Sequence, residues 1–375
     1  MPTLRRAPIP PSPDAFPRYP DWRAALADAV IDVAELCRLL NLPESLAAAA
    51  RTTLCSQGQC SQGQCSQGQC SQGQGSQGSQ GRSNQGDSFP LRAPKPFLAR
   101  IRPGDAADPL LLQILPRPEE TIDQAAFSRD PLGELAATEY TGLLGKYPSR
   151  ALILASDRCA VHCRFCFRRH FPHRPGIASP PQRDAICRRI AADTTIHEII
   201  LSGCDPLTCD DDTLADFAQR LACIPHVRRL RIHSRMPIVI PQRVDSLLLA
   251  WLRSTRLTPL MVVHVNHPAE VDGEVADALG RLVDAGVPVL SQTVLLRGVN
   301  NNADVLAELL ERLVDLRVMP YYLHQLDRVA GAAHFEVPVE TGCRLIDELR
   351  ARLPGYAVPR YVQEVPGAPS KRALR

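Results

Sequence analysis

The chain has 375 residues, 45% of them hydrophobic, which is enough for a sizeable core and for more than one domain. Its formal net charge of +3 is too small to indicate nucleic-acid binding by itself. No run of about 18 apolar residues occurs, and prolines rather than an apolar segment follow the basic start, so neither a transmembrane helix nor a secretory signal is predicted. We therefore expect a cytoplasmic protein in which clustered cysteines bind metal rather than form disulfides.

The proline-rich residues 1–20 are predicted to be flexible. A helical region follows over 21–54, where one helix fits DWRAALADAVIDVAELCRLLNLP, with Asp21 as its N-cap and an end before Pro43.

Residues 55–88 form a low-complexity insertion built on the five-residue repeat CSQGQ. Such a composition buries too little apolar surface to offset the entropy of ordering, so a flexible tandem expansion is predicted. The alternative is a site for a soft metal formed by the repeated cysteines, Cys55, Cys60, Cys65 and Cys70.

Residues 89–148 are predicted to pack on a barrel formed by residues 149–355. In that barrel region, short runs of Val, Ile and Leu alternate with amphipathic helical stretches, which indicates βαβ units and a parallel sheet. The predicted strands are 150–156, 197–203, 228–234, 260–266, 287–296 and 318–326. Six such units favour an α/β fold of the partial (β/α)6 barrel type, whose chemistry lies at the carboxyl ends of the strands. Polar residues fall at those ends: His233, His264, Asn266, Gln292, His324 and Asp327.

Directly after the first predicted strand, DRCAVHCRFCFRRHFP carries Cys159, Cys163 and Cys166. Three thiolates on a [4Fe-4S] cluster leave one iron without a protein ligand, and that iron can bind a substrate. The C-x3-C-x2-C spacing resembles the radical S-adenosylmethionine (SAM) superfamily, whose members bind SAM at the open iron. The alternative is a Cys3His zinc site with His162 or His170 as its fourth ligand.

The second strand ends in LSGCDPL, which resembles the superfamily segment that holds the methionine end of SAM. The resemblance implies SAM-binding roles for Ser202, Gly203 and Asp205, and a cofactor-binding role for Gln292. Cys204 stands where the superfamily has a second glycine. Our hypothesis is that this small side chain is tolerated and is not a cluster ligand.

Several ordered motifs, namely CAVHCRFCFRRHFP, HSRMPIVIPQR, HVNHPAEV, QTVLLRGVNN and MPYYLHQLD, resemble the lysine 2,3-aminomutase family over roughly residues 95–371. The likeness is greatest to the branch that supplies β-lysine for modification of elongation factor P. It implies a radical SAM barrel followed by a C-terminal strand and a segment that binds pyridoxal phosphate (PLP), over 356–375.

By this resemblance, Lys371 in YVQEVPGAPSKRALR is the catalytic lysine that binds PLP covalently. The PLP phosphate contacts implied are Arg150 and Lys146. Taken alone, each of these three residues could equally be a solvated charge.

The resemblance also assigns the substrate contacts. Arg168 would bind the carboxylate of L-lysine, and an arginine fork suits that task. Asp327 and Glu364 would bind its distal ammonium. The basic run FRRH could otherwise be a solvated or nucleic-acid-facing patch.

The implied function is that of an isomerase that converts L-lysine to β-lysine. The cluster cleaves SAM to a 5′-deoxyadenosyl radical, and PLP assists the 2,3-amino migration. The implied partners are L-lysine, a reductant protein such as flavodoxin or ferredoxin, and, functionally, a lysyl-transferase and elongation factor P, with no direct nucleic-acid contact. The alternatives are a free amino acid 2,3-aminomutase and a catalytically impaired metal-binding homologue.

Overall fold

A computed structural model describes residues 16–56, 89–137, 142–172 and 176–375. The N-terminal residues 1–15 and most of the CSQGQ repeat, 57–88, lie outside the described residues, so the predictions made for them stay predictions. Within the described ranges, no helix combines the length and the apolar character needed to cross a membrane.

The N-terminal part is built of short helices. They are α1 (Trp22–Ala27), α2 (Val33–Leu39), α3 (Glu44–Ser56), α4 (Lys95–Leu98), α5 (Pro109–Leu112) and α6 (Glu134–Ala137).

The prediction of one continuous helix from Asp21 is wrong, although Asp21 does cap α1 by accepting a hydrogen bond from the Ala24 amide. The chain leaves the helical conformation because Val30 exchanges two backbone hydrogen bonds with Ala93, at 2.8 and 2.9 Å. Asp32 then caps α2. A long-range backbone pairing therefore overrides the local helical preference.

Across the described residues, nine strands form one sheet in sequential order. They are β1 (Leu143–Tyr147), β2 (Arg150–Ser156), β3 (Glu198–Gly203), β4 (Arg229–Ser234), β5 (Thr258–His264), β6 (Val289–Val294), β7 (Met319–His324), β8 (Arg360–Gln363) and β9 (Arg372–Ala373). Strands β2 to β8 are parallel, whereas β1 and β9 pair antiparallel at the two ends of the order.

Helices connect the parallel strands. They are α7 (Pro180–Ala191), α8 (Asp211–Ala222), the short α9 (Met236–Val239), α10 (Ser246–Ser254), α11 (Gly273–Asp284), α12 (Ala303–Asp315) and α13 (Val339–Arg352). Six βα units thus run from β2 to α13, and β8 adds a seventh parallel strand. The predicted α/β partial barrel is confirmed, because all six predicted runs coincide with strands to within a few residues. The division into domains stays a prediction.

The two faces of the sheet differ in chemistry. Along β4, Leu230 and Ile232 join the apolar core shared with the helices, whereas Arg231 and His233 alternate with them and face the barrel interior. The same alternation places Gln292 of β6 on the interior face. The fold therefore presents polar groups inside an open barrel and apolar groups to its helices.

Substitution by alanine should have opposite effects on the stability of the fold at two helix glycines, Gly342 and Gly280. A Cβ added at Gly342 in α13 would overlap the phenol ring of Tyr361, whereas one at Gly280 in α11 would meet nothing within 4 Å. We expect Gly342→Ala to destabilise the fold by about 1–3 kcal/mol through overpacking. Gly280→Ala should stabilise it by about 1 kcal/mol. Urea unfolding of the two variants measures both effects, and equal effects of one sign would contradict the packing described for α13.

Candidate functional site

The three predicted cysteines lie in the loop of residues 157–172, directly after β2. Cys163 and Cys166 share a turn, in which the Cys166 amide donates to the Cys163 carbonyl at 3.0 Å. Burial raises the pKa of Cys166 to about 12. A side-chain hydrogen bond with Cys204 and burial together raise the pKa of Cys159 well above its usual range. These thiols are therefore neutral in the metal-free protein and become good ligands only when a metal displaces their protons.

The structure does not favour the zinc alternative. The Nδ1 atom of His162 lies 2.8 Å from the Pro90 carbonyl oxygen, and its ring stacks on Phe89. The Nε2 atom of His170 lies 3.0 Å from the Ala330 carbonyl oxygen. Across the described ranges, no three His, Cys, Asp or Glu side chains converge on a point that could hold a single metal ion. The two proposed fourth ligands are thus committed to backbone carbonyls.

Buried ion pairs fix the cysteine loop. Glu120 accepts from Arg164 Nε at 2.8 Å and from Arg169 Nη2 at 2.6 Å, and these arginines flank Cys166. Phe165 between them is 4% exposed and packs edge-on against His264 and Phe335. The basic run is thus buried structure, which argues against a nucleic-acid-facing patch.

Arg168, the predicted carboxylate anchor, lies at the mouth of the barrel and is 9% exposed. Its Nε and Nη2 atoms bond both oxygens of Glu134, at 2.6 and 2.9 Å. Its Nη1 atom donates to the Gly203 carbonyl at 3.1 Å. Arg168 and Gly203 also line one small cavity, together with Cys204. One edge of the guanidinium is therefore held by Glu134, and the other faces the predicted SAM segment.

The predicted SAM segment is built around Gly203, whose φ is +108°. A Cβ at this position would lie 3.0 Å from the Cα of Leu154, so only glycine fits without strain. The Ser202 hydroxyl oxygen accepts a hydrogen bond from Arg168 Nη1 at 3.4 Å. These two residues lie beside the Arg168 side chain of the cysteine loop, whereas Gln292 lies on β6, three strands from β3.

Asp205 has a different environment from the other predicted SAM contacts. Its carboxylate accepts from the Ser234 hydroxyl at 2.7 Å and from the amides of Leu207, Arg235 and Met236 at 3.0, 2.7 and 3.1 Å. Burial raises its pKa, although these bonds oppose the shift. The side chain thus ties the end of β3 to the end of β4.

Lys371 is not a free tail residue. Its ammonium forms an ion pair with Glu364, whose side chain is 5% exposed. The other carboxylate oxygen of Glu364 accepts from the Tyr147 hydroxyl. The Lys371 Nζ also lies 5.9 Å from the ring centre of Tyr322. Since Tyr147 belongs to β1 and Glu364 follows β8, this triad joins the two ends of the open sheet.

Arg150 opens β2 beside the same triad, with its guanidinium 5.4 Å from the ring centre of Tyr147. It lines a cavity of about 450 Å³, together with Gly367, Ala368 and Pro369 of the C-terminal segment. That volume is typical of sites for small molecules. The side chain of Lys146 lies outside the described residues.

Asp327 is half-buried beyond the end of β7. Because His324 of β7 pairs with Val362 of β8, Asp327 and Glu364 follow their strands at the same edge of the sheet.

Two cationic side chains, Arg231 and Lys371, lie near His233 in the barrel interior, and each is paired with a carboxylate, Glu198 or Glu364. Burial, with the charges of Arg231 and Lys371, holds the pKa of His233 well below its usual range. The Nε2 atom of His233 is buried and has no hydrogen-bond partner.

These features fit the groups that the sequence implies. Three half-buried cysteines in one loop suit an iron–sulfur cluster. Gly203 beside them has a positive φ and no side chain, which gives a ligand close access to the backbone. The cleft beside the Arg150 guanidinium suits an anionic phosphate, and the buried Nε2 atom of His233 has no hydrogen-bond partner within the protein.

Sequence reasoning missed the residues that hold the site together. Glu120, Glu134 and Tyr147 belong to no motif, and each has its partner more than 30 positions away. Glu120 contacts an arginine of the cysteine loop, whereas Glu134 and Tyr147 contact the predicted residues Arg168 and Glu364. Arg235 was also missed, although its place inside the HSRMP motif was a sequence signal that it belongs to the site.

No protein-family model matches the chain. It is 40% identical over 359 residues to the L-lysine 2,3-aminomutase of Escherichia coli (strain K12), over 96% of this chain and 95% of that protein. The protein of the same name from Haemophilus influenzae is 42% identical over 283 residues, or 76% of this chain and 84% of that protein. The one from Clostridium subterminale is 39% identical over 277 residues, or 73% and 66%.

Two solved structures align with part of the chain. A radical SAM methyltransferase from Sphaerobacter thermophilus gives a TM-score of 0.43 at 22% identity, over 59% of this chain and 68% of that chain. Streptococcus suis SuiB bound to S-adenosylmethionine gives 0.45 at 14% identity, over 59% and 51%.

The cysteine assignment makes a direct prediction. We expect Cys159→Ala, Cys163→Ala and Cys166→Ala each to lose most of the iron and sulfide after anaerobic reconstitution, because each removes a cluster ligand. Cys204→Gly should keep both, as should the control Cys187→Ala in α7. Iron and sulfide analysis with visible absorbance measures this, and loss of the cluster in Cys204→Gly would refute the view that Cys204 is not a ligand.

Proposed function

The chain belongs to the lysine 2,3-aminomutase family, and from that premise we propose that it is an isomerase that converts L-lysine to β-lysine. The family works with a [4Fe-4S] cluster, SAM and PLP. The observation that carries the proposal is the Lys371–Glu364 ion pair at the mouth of the barrel, where the carboxylate predicted to bind the substrate ammonium already holds an ammonium group.

Cys159, Cys163 and Cys166 would hold the cluster in the loop after β2. Their ligation leaves one iron open for SAM. The Gly203 backbone and Ser202 support the placement of SAM beside that iron, because both lie against Arg168 near the loop. Asp205 and Gln292 are proposed as further contacts of SAM. Because the Asp205 carboxylate already accepts four hydrogen bonds from the protein, its role would be to hold the turn after β3 in the conformation that binds SAM.

Lys371 would hold PLP, with Arg150 and Lys146 on its phosphate. Lys371 must lose its charge to bind PLP covalently, and a neutral lysine no longer needs Glu364 as its counterion. Glu364 would then be available, with Asp327, for the distal ammonium of the substrate. One carboxylate thus serves the resting lysine and the bound substrate in turn.

Arg168 is proposed as the partner of the substrate carboxylate. Glu134 fixes two of its nitrogens, so only the Nη1 edge, now on Gly203, remains to face a ligand. A substrate whose carboxylate binds Arg168 Nη1 and whose distal ammonium binds Glu364 would be held at both ends. Its central carbons would then be positioned between these two residues.

When bound, the cluster and SAM supply the hydrogen-abstracting radical, and PLP supports the migration of the amino group. The protein orients the substrate and excludes water from the barrel interior.

A low-potential electron-transfer protein, such as flavodoxin or ferredoxin, is proposed as the reductant. We also propose a cytoplasmic location and a functional link, through β-lysine, to a lysyl-transferase and elongation factor P. The support for that link is Glu364, since glutamate at this position fits the elongation-factor branch.

Replacing Lys371 should prevent the binding of PLP and leave the iron–sulfur cluster intact. We expect Lys371→Ala to abolish β-lysine formation and the visible absorbance of bound PLP, while iron and sulfide content stays at the wild-type level. Arg372→Ala, which changes the exposed neighbouring residue, is the matched control and should remain active. Normal turnover by Lys371→Ala would overturn the PLP assignment.

Removing the charge of Glu364, the proposed partner of the substrate ammonium, should weaken the binding of L-lysine. We expect Glu364→Gln to raise the KM for L-lysine by about 10- to 100-fold, since hydrogen bonds to charged groups contribute roughly 1.5–3 kcal/mol. Glu340→Gln, at an exposed position of α13, should leave KM unchanged. The assay is run on protein with matched PLP content, and an unchanged KM in Glu364→Gln would show that Glu364 does not bind the substrate.

A further inference from the structure

Arg235 lies between β4 and α9, with its side chain against the cysteine loop. Only 5% of the side chain is exposed. Its Nη1 atom donates a hydrogen bond to the Cys163 sulfur at 2.7 Å. The contact joins a fixed positive charge to one of the three predicted cluster ligands.

The guanidinium is held from several directions, so it cannot turn away from the sulfur. Its Nη2 atom donates to Glu270 Oε2 at 2.9 Å and to Gln113 Oε1 at 2.6 Å. Its own amide donates to Asp205 Oδ2 at 2.7 Å. The position of Nη1 therefore depends on groups from the N-terminal region and from the ends of β3 and β5.

Glu270 is itself fixed as an anion. Its Oε1 atom accepts from the amides of Asn266 and His267, at 3.0 and 3.1 Å, and from Gln113 Nε2 at 3.1 Å. The Arg235 and Glu270 side chains are only 5% and 0% exposed, and Arg235 Nη2 lies 2.9 Å from Glu270 Oε2. Arg235 and Glu270 are thus a buried charged pair with no net charge, one member of which contacts the cluster loop.

We propose that Arg235 is a positioning residue that sets the reduction potential of the cluster through its hydrogen bond to Cys163. This rests on the proposed function, because it needs the cluster on the three cysteines. Hydrogen bonds to cluster sulfurs stabilise the reduced form, which carries one more negative charge, and so raise the potential. In that step the oxidised cluster gains one electron from a low-potential one-electron reductant. Arg235 makes this electron easier to accept and neither gains nor loses a proton.

The double variant Arg235→Met/Glu270→Gln tests the proposal. It removes both charges together, so the net charge near the cluster is unchanged and no buried carboxylate is left without its partner. Methionine cannot donate to the sulfur. The single variant Glu270→Gln is the matched control, because it keeps Arg235 and its bond to Cys163.

The measurement is a redox titration of the full chain with dithionite, followed by electron paramagnetic resonance, after iron and sulfide analysis. We expect the double variant to hold a complete cluster whose reduction equilibrium is at least tenfold less favourable than in wild type, which is a fall of about 59 mV for one electron. Glu270→Gln should show no fall.

A double variant with a full cluster and the wild-type potential would overturn the proposal while leaving the proposed function intact. Absence of a cluster from the wild-type chain would instead overturn the proposed function. If the double variant cannot hold a cluster, the single variant Arg235→Lys tests the proposal instead. Lysine keeps the positive charge but lacks the two terminal nitrogens with which the guanidinium contacts Cys163 and Glu270 at once. We expect its potential to lie below wild type, and an unchanged value would refute the role of Arg235.

Discussion

The cysteine loop contains no helix or strand, so its shape depends on buried carboxylates that hold its arginines and the arginine beside it. The pairs are Glu120 with Arg164 and Arg169, Glu134 with Arg168, and Glu270 with Arg235. Exposed ion pairs contribute at most about 1 kcal/mol, but removing one partner of a buried pair costs about 3–5 kcal/mol. Each arginine is therefore confined to one position, and the cysteines between them are confined with it. Since Glu120 and Glu134 come from the N-terminal region, that region acts as part of the site.

The second constraint lies where the ends of the sheet meet. An open barrel leaves a gap between β1 and the last strands, and the Tyr147–Glu364–Lys371 triad crosses it. The C-terminal segment passes through this gap and forms a wall of the cleft beside Arg150. The proposed PLP site would therefore lie in this gap, beside Lys371. The cysteine loop and the triad lie at different places in the fold, so the proposed cluster and SAM would be separated from the proposed PLP site.

The strands and most crossover helices were predictable, because buried parallel strands and amphipathic helices leave strong local patterns. The cysteine motif and Gly203 were also readable, since their chemistry depends on few residues close in sequence. The break at Val30 was not, because it arises from pairing with Ala93 across the intervening insertion. Nor were the partners Glu120, Glu134 and Glu270, since an acidic side chain looks the same in sequence whether it is solvated or buried against an arginine.

The central claim is that this barrel moves an amino group within one molecule of lysine. The most direct measurement supplies L-lysine labelled with ¹⁵N at the 2-amino group, under strictly anaerobic conditions with SAM, PLP and a reductant, and locates the label by nuclear magnetic resonance. The account predicts β-lysine with the label attached to C3 and none released to solvent. Cleavage of SAM without any movement of the label from C2 would contradict it.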